Sequence, residues 1–407
     1  MFRKQAWSRG RFAMILHGMP VARPVDPARV ERVLLVRPRY LGDICLVLPT
    51  LEAVRAACPN ARIGFVVERE SAALLEHDPR IHERFIVSRG ASPRETLALI
   101  RALRHFAPHV AIDLFCNPRT AVWTRASGAR VRVGYPHKGW RSALYTHHSA
   151  PRTLSAIGFH LASVAALGWP APHGVPSLHV SEARRAEVIA ELLAIGVGPH
   201  IRLVGFHPGA RWPTRRWAPE RFVALARRFL DGDPGGVALI TGTNAEREVV
   251  EAIARTLPVG RAHAVIGWPI ARFVALQARC AAFVSGDTGP MHTAVAAGTA
   301  TLGLMSRNRP AMFFPYPEDR GHRAHYARVE CSPCHRDTCD DLRCLERLSV
   351  DGAWALLEAM LAQTTDSRGA TAAPCRLRRP HRANLSCGRA CACATALEHR
   401  GAAARHP

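Results

Sequence analysis

Short apolar runs recur along the chain, each ending in a turn signal and followed by a stretch with helical spacing. Residues 33–37 read Val-Leu-Leu-Val-Arg, a buried strand. Residues 38–43 form a loop, and 44–57 read as a helix with apolar positions at Ile44, Leu48, Leu51 and Val54. Residues 63–67 form the next strand, which completes one βαβ unit. A second run, 203–206, leads through a long loop to a helix that Pro219 starts and that runs to about Leu230. A third, 281–284, ends in a Gly-Asp-Thr-Gly turn. Pro290 then opens a short Ala-rich helix that Gly298 can close. Another strand lies near Val110, and others begin near Arg202, Val237, Ala264 and Thr301. Strands alternating with helices predict an α/β protein with parallel sheets.

The punctuation divides the chain. Residues 1–29 form a basic extension and 30–175 a first α/β domain. A Pro-rich linker covers 169–176, and a helix over 184–193 leads into a second domain at 200–345. A final helix lies within 346–364, its 350–361 stretch carrying Trp354, Leu357 and Leu361 on one side. Residues 365–407 are Arg- and Ala-rich without periodicity and read as a disordered tail. With 407 residues, 48% of them hydrophobic, the chain can build two cores.

Three loops carry candidate chemistry, each at the C-terminal end of a strand, where open α/β sheets bind ligands. In the first, Asp43 is either a helix N-cap or a carboxylate facing a cleft, and one residue can be both. In the second, Arg211, Thr214, Arg215 and Arg216 suit a diphosphate, because guanidinium groups make planar contacts to phosphate oxygens. A solvated basic loop is the other reading. In the third, the free N–H groups at the start of the helix form an anion site. Asp287, Thr288 and His292 add side chains that can hold a sugar or phosphate. The plain alternative is a strand-to-helix turn capped by Thr288.

Taken in order, these strings resemble glycosyltransferase family 9, the lipopolysaccharide heptosyltransferases. The matching pieces are Leu41-Gly42-Asp43 with Leu48-Pro49, His207-Pro208-Gly209 with Arg216-Trp217, and Asp287-Thr288-Gly289-Pro290-Met291-His292. The similarity covers roughly residues 30–362. It implies a GT-B fold, two Rossmann-like domains facing across a cleft. It also implies inverting transfer of heptose from ADP-L-glycero-D-manno-heptose to a lipopolysaccharide-core (lipid A–Kdo) acceptor; a related transferase using another nucleotide sugar, or a non-catalytic nucleotide-sugar binder, is the alternative. By the same resemblance Asp43 is the general base and Arg215 contacts phosphate. Asp287, Thr288, Gly289 and His292 hold the donor sugar and diphosphate, Glu246 holds the ribose, and Thr214 lies beside them. Glu246 also fits a capping box with Thr243. The last helix of such proteins often packs back on the first domain.

The chemistry suits those residue types. A carboxylate can take the acceptor hydroxyl's proton, and the leaving diphosphate needs positive charge or oriented N–H donors. No Asp-x-Asp cluster stands out, so no divalent ion is expected to be required. The family loop usually reads Ser-Ser-Leu-Gly-Asp-Val-Leu-His. Here Arg39 and Tyr40 precede Leu41, and Leu46 stands where the histidine would be. Arg39, Tyr40 and Gly42 are therefore the acceptor-side candidates, and the acceptor itself stays open.

Charge adds a partner. The formal net charge is +23, and only Lys4 and Lys138 among the basic residues are not arginine. A basic face suits an anionic glycolipid and peripheral contact with the inner membrane surface. The stretch 125–141, with Tyr135 and Trp140, is either a phosphate contact or an exposed arginine loop. No nucleic-acid motif is present. No apolar run approaches the ~20 residues of a membrane span, and no signal peptide is evident, so a cytoplasmic protein is expected.

The cysteines fall into groups. Cys45, Cys58, Cys116 and Cys280 lie in core elements and are expected to be buried thiols. Cys331, Cys334, Cys339 and Cys344 have C-x2-C-x4-C-x4-C spacing, open to a structural zinc, an iron–sulfur site or a local structural role.

Overall fold

The computed structural model describes residues 23–136, 140–334 and 336–369. Most of the basic extension and nearly all of the expected tail, with Lys4 and Cys375, Cys387, Cys391 and Cys393, lie outside the described residues, as do Lys138 and His335.

Two six-stranded sheets carry the fold, and every strand pair in both is parallel. The first holds β1 (Arg32–Val36), β2 (Arg62–Glu68), β3 (Glu83–Val87), β4 (Val110–Asp113), β5 (Val131–Gly134) and β6 (His147–His148). Their spatial order is β3-β2-β1-β4-β5-β6. The second holds β7 (Leu203–His207), β8 (Val237–Gly242), β9 (Ala262–Ile266), β10 (Ala282–Gly286), β11 (Ala300–Met305) and β12 (Arg323–Tyr326). Their order, β12-β11-β10-β7-β8-β9, is the same topology read from the other edge. The central strands are apolar on both faces because helices cover both sides of each sheet.

Each sheet reverses its winding between its first and fourth strands, and that is where a crevice opens. In the first sheet Val36 pairs with Asp113 across the switch. In the second, His207 pairs with Ser285.

The helix after β1 spans Leu41–Ala57, three residues earlier than its apolar spacing predicts. Its start is polar and tight, so periodicity alone does not register it. Ile44, Leu48 and Leu51 are fully buried, each contributing about 1.5–3 kcal/mol. This helix packs on Ala156–Ala165 from its own half and on Gly289–Ala296 from the other. One apolar core therefore runs from Val33 and Ile44 through to Met291 and Tyr316.

Two expectations change at the ends. Residues just before 30 are tied to the first half: Val25 N–H donates to Leu167 O at 2.9 Å, and Trp169 Nε1–H donates to Val25 O at 2.7 Å. The last helix, Val350–Gly369, runs past its expected end at 364. Among the described residues it packs on the second sheet and on the Pro219–Gly232 helix. Ala353, Leu357 and Met360 are buried in one core with Phe222 and Phe229, because the apolar stripe meets the Pro219–Gly232 helix first.

Candidate active site

The first half of the site begins with Arg37, directly after β1 and 2% exposed. Its Nη2 lies 2.7 Å from Asp43 Oδ1, and its Nη1 donates to Leu114 O at 2.5 Å. The other Asp43 oxygen, Oδ2, accepts from Tyr40 N–H at 3.3 Å. Tyr40 is thus the N-cap residue, and Asp43 sits at the third helical position reaching back, not at the cap itself. The carboxylate is held by two groups and remains partly open to solvent.

Gly42 lies at the contact between the two halves. It is buried, and a Cβ there would lie 2.6 Å from His292 Cδ2. It lets the two halves touch. Arg39 reaches Glu68 Oε1 at 3.7 Å and stacks near Tyr40 at 5.5 Å and Phe115 at 5.6 Å. Buried Glu68 also pairs with Arg119 at 2.9 Å and Arg89 at 3.4 Å. One carboxylate therefore organises three arginines beside the exposed Tyr40 ring. Leu46 is buried in the core. Of the 125–141 stretch, Tyr135 is buried and Trp140 exposed.

In the second half, Asp287 follows β10 and is almost fully buried. Its backbone O accepts from Arg215 Nη1 at 2.5 Å, and Oδ1 lies 3.6 Å from the same nitrogen. Asn308 Nδ2 donates to Oδ2 at 2.5 Å. Arg215 Nε is a buried N–H with no partner among the described residues. Gly286 lets the Arg215 loop cross the end of β10, since a Cβ there would lie 2.6 Å from Arg215 O.

Thr288 occupies the N-cap position of the Gly289–Ala296 helix, but its side chain does not cap it. The hydroxyl turns to Ser285 Oγ at 3.1 Å and Gly286 O at 3.3 Å. The first N–H groups of the helix therefore stay available to an anion. His292 is buried, with Nδ1 2.6 Å from Tyr316 Oη. Burial, with a further push from Arg215, lowers its pKa.

Two donor-side candidates are engaged by the protein. Thr214 is buried, and its hydroxyl donates to Arg336 O at 3.0 Å and lies 3.3 Å from Asp337 O. It anchors the loop and presents no hydroxyl to a ligand. Glu246 Oε2 accepts from Thr243 N–H and from Thr243 Oγ1, both at 2.9 Å, so the capping interaction forms. Its carboxylate also covers Gly209 at the end of β7, where a Cβ would lie 2.1 Å from Oε1. Arg216 Nε–H donates to Ala210 O, and Trp217 Nε1–H to Leu348 O, so this pair shapes the loop from beneath.

The four expected core cysteines, Cys45, Cys58, Cys116 and Cys280, are buried free thiols. Cys331, Cys334, Cys339 and Cys344 are also free. Among the described residues no three His, Cys, Asp or Glu side chains gather to hold a metal, so the spacing does not assemble a ligand set there. Burial, then the neighbouring Cys334 and Cys331, raises the Cys344 thiol. Among the described residues no helix is long and apolar enough to cross a membrane.

Arg37, Glu68 and Asn308 escaped the sequence reading. Arg37 left a trace, a charge closing a fully apolar strand. Asn308 left none, because it reaches Asp287 from the loop after another strand.

The family model described as glycosyltransferase family 9 (heptosyltransferase) matches residues 96–344, more than half of the chain. The chain belongs to glycosyltransferase family 9. The family 9 chain is 25% identical over 361 residues to lipopolysaccharide heptosyltransferase 1 of Pseudomonas aeruginosa, covering 81% of this chain and 98% of that protein. It is 24% identical over 299 residues to lipopolysaccharide heptosyltransferase 3 of Escherichia coli, covering 69% and 84%. Its fold is similar to that of a family 9 glycosyl transferase from Veillonella parvula, with TM-score 0.74 and 21% identity over 84% of this chain and 99% of that one. This family 9 glycosyltransferase thus has the expected GT-B architecture.

Proposed function

We propose that this glycosyltransferase moves heptose from ADP-L-glycero-D-manno-heptose to a lipopolysaccharide-core acceptor, with inversion and with Asp43 as general base. One observation carries the reading. Asp43 and the Arg215–Asp287 pair stand at the two switch points, joined where His292 packs on Gly42. A base and an anion site face one another across that contact.

Asp43 takes the proton of the acceptor hydroxyl. The freed oxygen bonds to the anomeric carbon from the face opposite the diphosphate. The anomeric C–O bond breaks, and ADP leaves with the electron pair. Arg215, through its unpartnered Nε–H, and the open start of the Gly289–Ala296 helix stabilise the charge on that leaving group. These groups supply the positive field, so the step needs no divalent ion. In this reading Glu246, after β8, bonds the ribose hydroxyls with the carboxylate that also caps Thr243. The arginines around Glu68 suit an anionic glycolipid acceptor. A basic enzyme with such an acceptor works on the cytoplasmic face of the inner membrane, held peripherally and without nucleic acid.

Calorimetric titration with ADP, UDP and GDP, without added metal, tests the donor. Selective ADP binding is expected. Selective UDP or GDP binding would keep the transferase and replace the sugar nucleotide.

A further inference from the structure

The loops at the C-terminal end of the first sheet join into one rim. All six strands run the same way, so the segments after β1, β3, β4, β5 and β6 meet at the end where Asp43 lies. Polar contacts stitch them together. Arg119, after β4, donates from Nη1 to the Arg89 carbonyl, after β3, at 2.6 Å. Arg141, after β5, donates to Cys116 O at 3.0 Å. His148 of β6 places Nε2 3.1 Å from Ser142 O.

Two properties set this rim apart. It exposes large apolar side chains: Trp140 is 58% exposed, Leu154 44% and Tyr40 43%. Its charge also has one sign. From Leu114 to Ser181 the chain has seven lysines and arginines and no aspartate or glutamate. The exposed carboxylates Glu70 and Glu95 follow β2 and β3, so the part of the rim from β4 to β6 has none. The opposite end of the sheet mixes signs: Glu31 pairs with Arg32 at 3.2 Å, and Glu83 is exposed. Exposed aromatic and aliphatic groups set among arginines match a lipid surface with negative headgroups. Tryptophan rings sit at headgroup level, and the surface potential draws the guanidinium groups. A soluble polyanion would answer the arginines and leave Leu154 in water.

We propose that this rim, from the loop after β4 to Leu154 with Tyr40 at its border, docks on the anionic leaflet of a phospholipid membrane. Trp140 enters at headgroup depth, and Arg141 and Arg152 meet the lipid phosphates. The proposal rests on transfer to a lipid-linked acceptor: docking by this end turns Asp43 toward the leaflet that holds it.

The test sediments the full chain with phosphatidylcholine vesicles, with and without phosphatidylglycerol. The chain is expected to bind the vesicles that carry phosphatidylglycerol, and more weakly as salt rises. Trp140→Ala combined with Arg152→Glu, both at exposed positions, should lower that affinity roughly tenfold. Arg255→Glu, an equal change of charge at an exposed position of the second half, should leave it nearly unaltered. The basic segments at both ends of the chain are present in every variant, so they do not account for a difference between variants. Equal losses in the two variants would assign the binding to net charge. No loss in the first would assign it to another face, and either result overturns the proposal. Brominated phosphatidylcholine in the same vesicles should quench part of the tryptophan emission, and Trp140→Phe should remove most of that quenching. Quenching that survives in Trp140→Phe, or none at all in wild type, would mean that this ring does not enter the leaflet. ADP titration reads the second half, which the rim variants do not touch. Wild type that binds ADP and no vesicle would sink this proposal alone, whereas failure to bind ADP would count against the donor reading.

Discussion

At the end of the first sheet, charge is handled by side chains already in pairs. Arg37 holds Asp43, and Glu68 holds Arg39, Arg89 and Arg119. At the end of the second sheet the open donors include a helix start. Arg215 Nε, like Arg37 Nε and Arg39 Nε in the first half, has no partner among the described residues, and beside it the Gly289–Ala296 helix begins without a side-chain cap. Strand order is the same in both. The difference teaches that topology supplies a crevice twice over, and local partners decide what each is for. An uncapped helix start beside an arginine sets one up for an anion. A carboxylate held in place sets the other up for a proton.

The sharpest way to break this comparison is Asp43→Asn. Turnover should fall by about 10²–10⁴-fold, while ADP binding in calorimetry stays as in wild type. Normal turnover would take the proton transfer away from the first half. Next comes Arg37→Leu, which strands the Asp43 carboxylate and the Leu114 carbonyl. Removing one member of a buried pair should cost about 3–5 kcal/mol in denaturant unfolding. An unchanged midpoint would mean the pair does not organise that half.

Arg215→Ala probes the other side. It removes the open donor, and ADP affinity should drop by about 2 kcal/mol, roughly thirtyfold. Unchanged affinity would leave the helix start as the only anion group. Gly42→Ala attacks the contact between the halves. The new methyl group meets His292, and stability should fall by about 1–3 kcal/mol. Adding His292→Ala should return most of that loss if the clash is its cause.

The smallest effect is on pH. Burial lowers the pKa of His207 to about 4, and that of His322 also to about 4, the latter helped by Arg320 and Arg323. Both fold as neutral rings, and the unfolded chain binds their protons more readily. Their contribution is complete above the unfolded value of about 6.5 and is lost as pH falls through about 4. Both belong to the second half, so melting monitored there should fall over that window. His207→Gln should flatten part of the slope, and an unaltered slope would exclude His207 as its source.

The sequence by itself determined the alternation of strand and helix, the three loops at strand ends, and the strings that mark the family. These signals are local: an apolar run, a proline opening a helix, a turn of glycine and aspartate. Asp43, Arg215 and Asp287 stand in or directly beside such loops, so their places after β1, β7 and β10 were legible. Only tertiary structure decided what those residues touch. Gly42 reads as part of a loop motif, yet it is a gap shaped for His292, which lies 250 residues away. Thr214 reads as a phosphate ligand, yet carbonyls beyond residue 330 take its hydroxyl. His160 sits on an apolar helix, and only packing brings it to the same small hollow as Asp43. Periodicity reports which face of an element is buried. It carries no information about which distant element arrives to bury it, and hydrogen bonds form with whatever arrives.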